Sequence, residues 1–370
     1  MVLPPLLKKR KGGKEMKLDK KLQGLIAVIA FFGGIAMLIG ALAMDFMGST
    51  FEGRGPILVI GILAILFGMY LFPTEKHHRK IINFIFLFPL LFTFLVTVII
   101  PLLLGFYYSF TDWDGIRMRN YVGFDNYAKM FHQPSFVWSI VLTFLFVVLN
   151  MVMVNLIAFL LALLCTNKFR GIGFFRAAYF VPNLIGGIVL GYIWQFIFSN
   201  VLVEFTSKVF NNNYSILASS NTAFLGIIVV YIWQYAGYIM LIYITGLNTV
   251  PGEVLEAAAI DGASPLQTLF NIKIPMIAPS ITICTFLTLT NSFKMFDVNL
   301  SLTGGKGSIA SFMGSYLTNG TEMLALNIYN EAVIKSNYAL GQAKAVLFFI
   351  ILATVSVLQV RISNKREVEL

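Results

Sequence analysis

Apolar runs separated by short polar segments repeat along the whole chain. Eight of them, at about 22–44, 55–72, 82–108, 137–165, 173–198, 222–247, 277–303 and 343–362, are long enough to cross a hydrocarbon core. Inside lipid no water is available to the backbone, so each run must satisfy its own N–H and C=O groups as a helix. The pattern predicts an all-α polytopic membrane protein of about eight transmembrane helices.

The interruption between the sixth and seventh runs has a helical pattern of its own. A first helix is expected from about Pro251 to Asp261, ended by Gly262, which adopts a left-handed conformation at little cost. A second starts with Ser264 as N-cap and Pro265 at the first helical position. Leu255, Ala258 and Ala259 share one face of the first helix, and Leu266, Leu269 and Phe270 one face of the second. Such a small knob suits insertion into a cleft on a partner protein.

Composition agrees with the spans: 58% of residues are hydrophobic, 12% are charged, and the mean hydropathy is +0.81. The net charge of +10 would suit nucleic acid, but its distribution argues for a membrane instead. With the N-terminus inside, cytoplasmic segments hold 18 of the 27 Lys and Arg, eight of them up to Lys21. Outside segments hold eight, Lys344 among them, and Lys294 lies within a span. This positive-inside bias places both termini and residues 248–276 in the cytoplasm, and makes Lys8–Lys21 a topology and anionic-lipid signal. The basic tail, first apolar run and Ala41-Leu42-Ala43 imitate a secretory signal. That run is longer than a signal core and a second span follows at once, so cleavage is not expected.

Cys165 and Cys284 lie far apart in apolar runs, without metal spacing, and read as reduced packing residues. His77 and His78 are adjacent in a basic turn and share no helical face, and His132 stands alone in a loop. No metal site and no catalytic set is expected. Gly304-Gly-Lys-Gly-Ser308 imitates a phosphate loop, but Gly307 stands where Ser or Thr must follow the lysine. The clearest boundary is Pro73–Lys80. Residues 1–75 form a basic tail and two accessory spans, and residues 76–370 a six-span core.

Glu256-Ala257-Ala258, Gly262 after a further three residues, and then Ile272, Ile274 and Pro275 resemble the EAA loop of ABC-importer permeases, with Ile274 where Leu is usual. Ser109-Phe-Thr-Asp-Trp113 with Val122-Gly-Phe-Asp-Asn-Tyr127, and Phe293-Lys-Met-Phe-Asp297 with Leu302-Thr-Gly-Gly305, are similar to stretches of carbohydrate permeases. The matches cover nearly all of 80–305. The chain thus resembles the MalF-like permease subunits of binding-protein-dependent ABC carbohydrate importers, whose core is the six-helix type I fold. The resemblance implies a bacterial plasma membrane location, a second permease, two ATPase subunits that bind ATP and Mg, and an extracellular solute-binding protein. It implies no cofactor in this chain, and makes Glu256, Ala257, Ala258, Asp261, Gly262 and Pro275 the ATPase-coupling residues.

A transported solute needs polar groups facing a cavity near mid-membrane, where such groups are costly against lipid. The fifth run supplies Tyr179, Pro182 and Asn183, with Gly186-Gly187 allowing close approach or a break. The sixth supplies Trp233, Gln234, Tyr235 and Tyr238, and the seventh Thr290, Asn291, Lys294 and Asp297. The substrate-binding candidates are Tyr179, Asn183, Tyr235, Tyr238, Thr290, Asn291, Lys294 and Asp297. Amides, hydroxyls and aromatic faces suit a sugar, and each group could equally serve interhelical packing. Lys294 and Asp297 are three apart on one helical face, so they can pair and neutralise each other, as substrate contact, gate or structural ion pair. Pro89 and Pro101 are expected to kink the third span. An ion-gradient-driven secondary transporter is the alternative from another class, with that pair as its titratable group. A third option is a membrane-embedded enzyme or a scaffold without transport; the absence of clustered His, of a Ser-Lys dyad in facing spans or of paired intramembrane carboxylates counts against the enzyme.

Overall fold

The structure, a computed structural model, describes residues 20–46, 54–71, 78–166, 170–210 and 214–364. Most of the basic tail, Lys76, His77, Lys168, Lys365 and Arg366 lie outside the described residues. The chain packs as two compact units that divide between Leu102 and Leu103.

The first unit holds α1 (Lys20–Phe46), α2 (Arg54–Leu71), α3 (His78–Phe94), a π-helical turn at Leu95–Ile99 and the start of α4 (Ile100–Tyr108). α1 and α2 pack along a seam of small residues. Ala27, Gly34 and Ala41 recur at seven-residue spacing on α1, as do Gly61 and Gly68 on α2. Ala27 and Ala41 are fully buried. A Cβ on Gly34 would come within 2.6 Å of the Gly61 carbonyl oxygen, and one on Gly68 within 2.6 Å of the Phe31 nitrogen. Backbones this close are the usual way apolar helices associate in lipid, where hydrophobic burial gives no drive.

The second unit continues through α5 (Asp125–Phe131), α6 (Pro134–Thr166), α7 (Ile172–Leu184), α8 (Gly187–Phe196) and, after a π-helical turn at Ile197–Val201, α9 (Leu202–Phe210). Then come α10 (Ser220–Leu247), α11 (Gly252–Ile260), α12 (Pro265–Thr268), a π-helical turn at Leu269–Lys273, α13 (Ile274–Met276), α14 (Ala278–Phe293) and α15 (Asp297–Leu302). A hairpin of β1 (Ile309–Phe312) and β2 (Ser315–Leu317) precedes α16 (Leu324–Tyr329), a π-helical turn at Asn330–Ile334 and α17 (Tyr338–Asn364). α10 is the centre of the core, packed against α6, α7 and α14, with Phe146, Leu190, Ile227, Tyr231 and Met240 fully enclosed around it. Cys165 and Cys284 are buried free thiols.

Among the described residues six helices are long and apolar enough to span a membrane, or seven if the bent pair 265–276 and 278–293 counts as one span. The Gly55–Leu71 helix is a shorter apolar helix. Two expected spans are not continuous. The 173–198 run breaks after Leu184, with Ile185 and Gly186 extended (ψ 127° and 135°), and the long apolar stretch becomes Gly187–Val209. The 277–303 run breaks after Phe293, and Asp297 opens a new helix. Pro89 lies inside α3, and two other prolines follow widened turns. The π-helical turns at Leu95–Ile99 and Leu269–Lys273 each end two residues before a proline, Pro101 and Pro275. Widening the turn relieves the clash of the ring with the carbonyl four residues earlier.

At the end of the unit opposite residues 248–276 lies a buried polar network. Lys344, counted above with an outside segment, sits inside α17 with no exposed surface. Its Nζ donates to Glu331 Oε2 (2.7 Å) and Asn327 Oδ1 (3.0 Å) and lies over the Phe136 ring. Burial alone would raise the Glu331 carboxyl, but hydrogen bonds from Lys344 and Asn337 hold it below its ordinary pKa. Glu322 accepts from Asn319, Asn327 and Asn330. The network joins α16, the turn after it and α17.

Candidate functional site

The two helix breaks meet. α8 starts at Gly187 because Gly186 and Gly187 follow Pro182, and the missing side chain lets α15 approach. A Cβ on Gly187 would stand 2.6 Å from the Asp297 Cβ, and one on Gly191 only 1.8 Å from Ser301 Oγ. α10 meets α7 as closely, since a Cβ on Gly237 would stand 1.7 Å from the Tyr179 carbonyl oxygen. The break leaves the Ile185 carbonyl without a helical partner, and the buried Gln234 amide donates to it at 3.4 Å.

Around this junction is a cavity of about 350 Å³, into which Asn183, Gln234, Tyr235, Asn291, Lys294 and Asp297 project. Non-helical backbone at membrane depth is tolerated where it lines such a cavity. Lys294 and Asp297 do not form an ion pair among the described residues. The expected pairing assumed one continuous helix, whereas α14 ends at Phe293 and the two charges fall on either side of the break. Each has a helix end instead. Lys294 is the C-cap of α14, its N–H bonded to Thr290 and Ser292 carbonyls, so its cation stands at the negative end of that helix. Asp297 opens α15 and lies against the start of α8, at two positive ends. Both charges are exposed in the cavity.

Tyr235 is held from behind. Its ring lies 4.4 Å from that of buried Tyr231, whose hydroxyl accepts from Ser292 Oγ at 3.0 Å. Of the expected substrate-binding residues, the cavity gathers Asn183, Tyr235, Asn291, Lys294 and Asp297. It does not gather Tyr179, Tyr238 or Thr290. Tyr179 is exposed on α7 one turn before Asn183 and is not among the lining residues, Tyr238 packs on the core, and the Thr290 hydroxyl donates to the Phe286 carbonyl of its own helix. Gln234 joins those that line the cavity, and a carboxamide in an otherwise apolar run is its only sign in the sequence.

At the end of the unit carrying residues 248–276, α11 closes as a Schellman motif. Gly262 has φ +75°, its N–H reaches the Ala259 carbonyl (3.2 Å), and the Ala263 N–H reaches that of Ala258 (2.9 Å). A capping box follows, with Ser264 Oγ accepting from Gln267 N–H and Gln267 Oε1 accepting from Ser264 N–H. Ala258 is buried and Leu255 half-buried, whereas Ala259 faces outward. Leu269 is half-buried, but Leu266 and Phe270 are exposed. Glu256, Ala257, Asp261, Gly262 and Pro275 are exposed too, and Ile260, which the sequence did not single out, is 86% exposed.

These features can be set beside known proteins. The profile of the family described as "Binding-protein-dependent transport system inner membrane component" matches residues 55–368. The probable starch degradation products transport system permease protein AmyD of Thermoanaerobacterium thermosulfurigenes is 41% identical over 77% of this chain and 95% of its own. The multiple sugar-binding transport system permease protein MsmF of Streptococcus mutans is 31% identical over 78% of this chain and 99% of its own. A bacterial ABC transporter involved in the import of the acidic polysaccharide alginate contains a chain of like fold, with TM-score 0.68 and 18% identity over 79% of this chain and 98% of that one. Polytopic, with a polar cavity between broken helices and a doubly capped segment at one end, the chain belongs to the family of binding-protein-dependent transport system inner membrane components.

Proposed function

We propose that this chain is one of two permease subunits that together form the path for a sugar or oligosaccharide through an ABC importer of a bacterial plasma membrane. The observation that carries the reading is the presence, in one chain of this family, of a polar cavity at two facing helix breaks and a rigidly capped segment at 252–276. The names of AmyD and MsmF concern starch degradation products and multiple sugars, which favours a carbohydrate here.

In this proposal Asn183, Gln234 and Asn291 offer amide donors and acceptors to sugar hydroxyls, Asp297 accepts, Lys294 donates, and Tyr235 offers a ring face. Residues 252–276 lie in the cytoplasm and dock on partner ATPases through Glu256, Ala257, Asp261 and Gly262, with Ile260, Leu266 and Phe270 as the apolar contact. Two ATPases bind ATP and Mg, because this chain has no phosphate loop of its own. An external solute-binding protein delivers the sugar. Closure of the ATPases pushes the capped segment as a unit, and the helix breaks let half-helices tilt about the cavity.

The test begins with co-purification of the tagged chain from its native membrane, expected to bring down a second permease and an ATPase in fixed ratio. In that complex Gly262→Asp, a β-carbon at a left-handed position plus a charge on the docking face, is expected to abolish sugar-stimulated ATP hydrolysis. A chain that emerges alone and well folded, or a Gly262→Asp complex with undiminished coupling, would overturn the proposal.

A further inference from the structure

A second hollow lies at the end of the unit opposite residues 248–276 and shares no lining residue with the cavity at the helix breaks. It holds about 370 Å³, a size that suits a small-molecule site. One wall is the segment from Asp112 to Asp114 with Asn126 and Lys129, and the other is the turn from Ser336 to Leu340 that leads into α17. The walls are pinned to each other. The Ala339 N–H donates to the Trp113 carbonyl (3.2 Å), and the Trp113 ring packs on Tyr108 (centroids 4.4 Å apart, stacked) and on Tyr338 (5.6 Å). Gly115, at φ +100°, lets the chain lie against Tyr338, since a Cβ there would stand 2.7 Å from that ring. The hollow is therefore built before any ligand arrives.

Its lining says what would fill it. Asn126 is only 7% exposed and spends its amide hydrogens on the carbonyls of Ser109 (2.9 Å) and Thr111 (2.8 Å). Its Oδ1 has no donor among the described residues, yet keeps open surface. The same is true of Trp113 Nε1 and the Tyr338 hydroxyl as unbonded groups of half-buried residues. The Ser336 hydroxyl is also unbonded, on an exposed residue held at φ +57°. The charged groups, by contrast, are already engaged. Asp112 accepts from the Arg119 and Asn120 N–H groups, Asp114 from those of Ile116 and Arg117, and Lys129 pairs with Asp125 (2.6 Å). Single donors and acceptors beside aromatic rings, with no net charge to satisfy, match a ring bearing hydroxyls on its edge and C–H bonds on its faces. That is one unit of a saccharide.

We propose that the hollow is an outer saccharide subsite, which holds one sugar unit of an oligosaccharide separately from the cavity at the helix breaks. Asn126 Oδ1 accepts from one sugar hydroxyl, Trp113 Nε1 donates to another, and the Ser336 and Tyr338 hydroxyls do either. The proposal rests on the reading of this chain as part of a carbohydrate importer, with this end outside.

The experiment uses the co-purified complex in lipid nanodiscs, without the solute-binding protein. The probe is maltotriose bearing a photoactivatable group, and labelled residues are mapped by mass spectrometry. Label is expected on Trp113, Asp114 and the 336–340 segment, and excess unlabelled maltotriose should remove it. A Ser336→Gly, Tyr338→Phe double variant loses two hydroxyls and relieves the backbone at 336; its outer label is expected to fall about tenfold. Label at 291–297 should persist in that variant, which reports that it is intact. Label at 291–297 alone, outer label that free maltotriose does not compete, or a double variant labelled as before would each overturn the subsite. So would an unlabelled hollow whose 336–340 amides gain exchange protection when the solute-binding protein is added, since that marks a protein contact. Sugar uptake into native-membrane vesicles separates the two failures: uptake with an unlabelled hollow leaves the importer reading standing, and no uptake of any sugar removes the reading on which the subsite rests.

Discussion

Gly187 shows how much rests on a missing side chain. Its Cβ would fall 2.6 Å from that of Asp297, while the neighbouring Gly186 has nothing within 4 Å. Gly187→Val is expected to part α8 from α15 and lower sugar uptake about tenfold or more, as misplacement at a site of fixed geometry does. Gly186→Ala should leave uptake near its original level in the same vesicle assay. Asp112 gives a second residue-scale prediction. Its carboxylate accepts from the Asn120 and Arg119 N–H groups, chiefly the former, and is held below its ordinary pKa of 3.8. A depressed pKa contributes stability that is present above the ordinary value and lost as pH falls through the folded one. Hydrogen exchange at Arg119 and Asn120, corrected for intrinsic rate, should therefore stay slow down to pH 3.8 and accelerate below it. The residue scale was the least legible in sequence. Asn183, Tyr235 and Asn291 were found because polar groups in apolar runs are conspicuous, yet Thr290 is equally conspicuous and its hydroxyl bonds back to its own helix. Nothing in composition tells which way a side chain points.

Among the elements, those governed by local chemistry were legible and those governed by distant contacts were not. Gly262 and Ser264-Pro265 announced the turn between α11 and α12 because a left-handed residue and an N-cap act within a few residues. The break at 185–186 was signalled only by Gly186-Gly187, and the one at 294–296 was hidden, since average hydrophobicity runs straight across both. The Glu322–Asn327–Glu331–Lys344 network was hidden for another reason. Its members are spread over more than 20 residues, each resembles an ordinary loop polar group, and only folding brings them inside. Lys344→Met leaves Glu331 buried without its main partner and is expected to cost about 3–5 kcal/mol. Thermal unfolding in detergent should show the loss, and adding Glu331→Gln should recover part of it.

On the scale of the whole molecule, the lipid requirement for long apolar helices made the polytopic class readable at once, whereas the meeting of two breaks around one cavity is a property of the assembled bundle. α1 and α2 are joined to each other by their own small-residue seam. Relatives are matched over 95% and 99% of their length by about four-fifths of this chain. A chain restarted after residue 71 is expected to keep partner co-purification and sugar uptake, measured against the full chain at equal membrane abundance.

The pairing of α1 with α2 also has an arithmetic consequence. Two crossings bring a chain back to the side it left, so a hairpin can be gained or lost at the front of a permease without inverting anything behind it. One crossing cannot. If α1 and α2 both cross, removing α1 alone would change the parity of every later span and, on the proposed placement, deliver the capped 252–276 segment to the face away from the proposed ATPases. On that reading the seam holds together two helices that keep the later spans in register only when both are present.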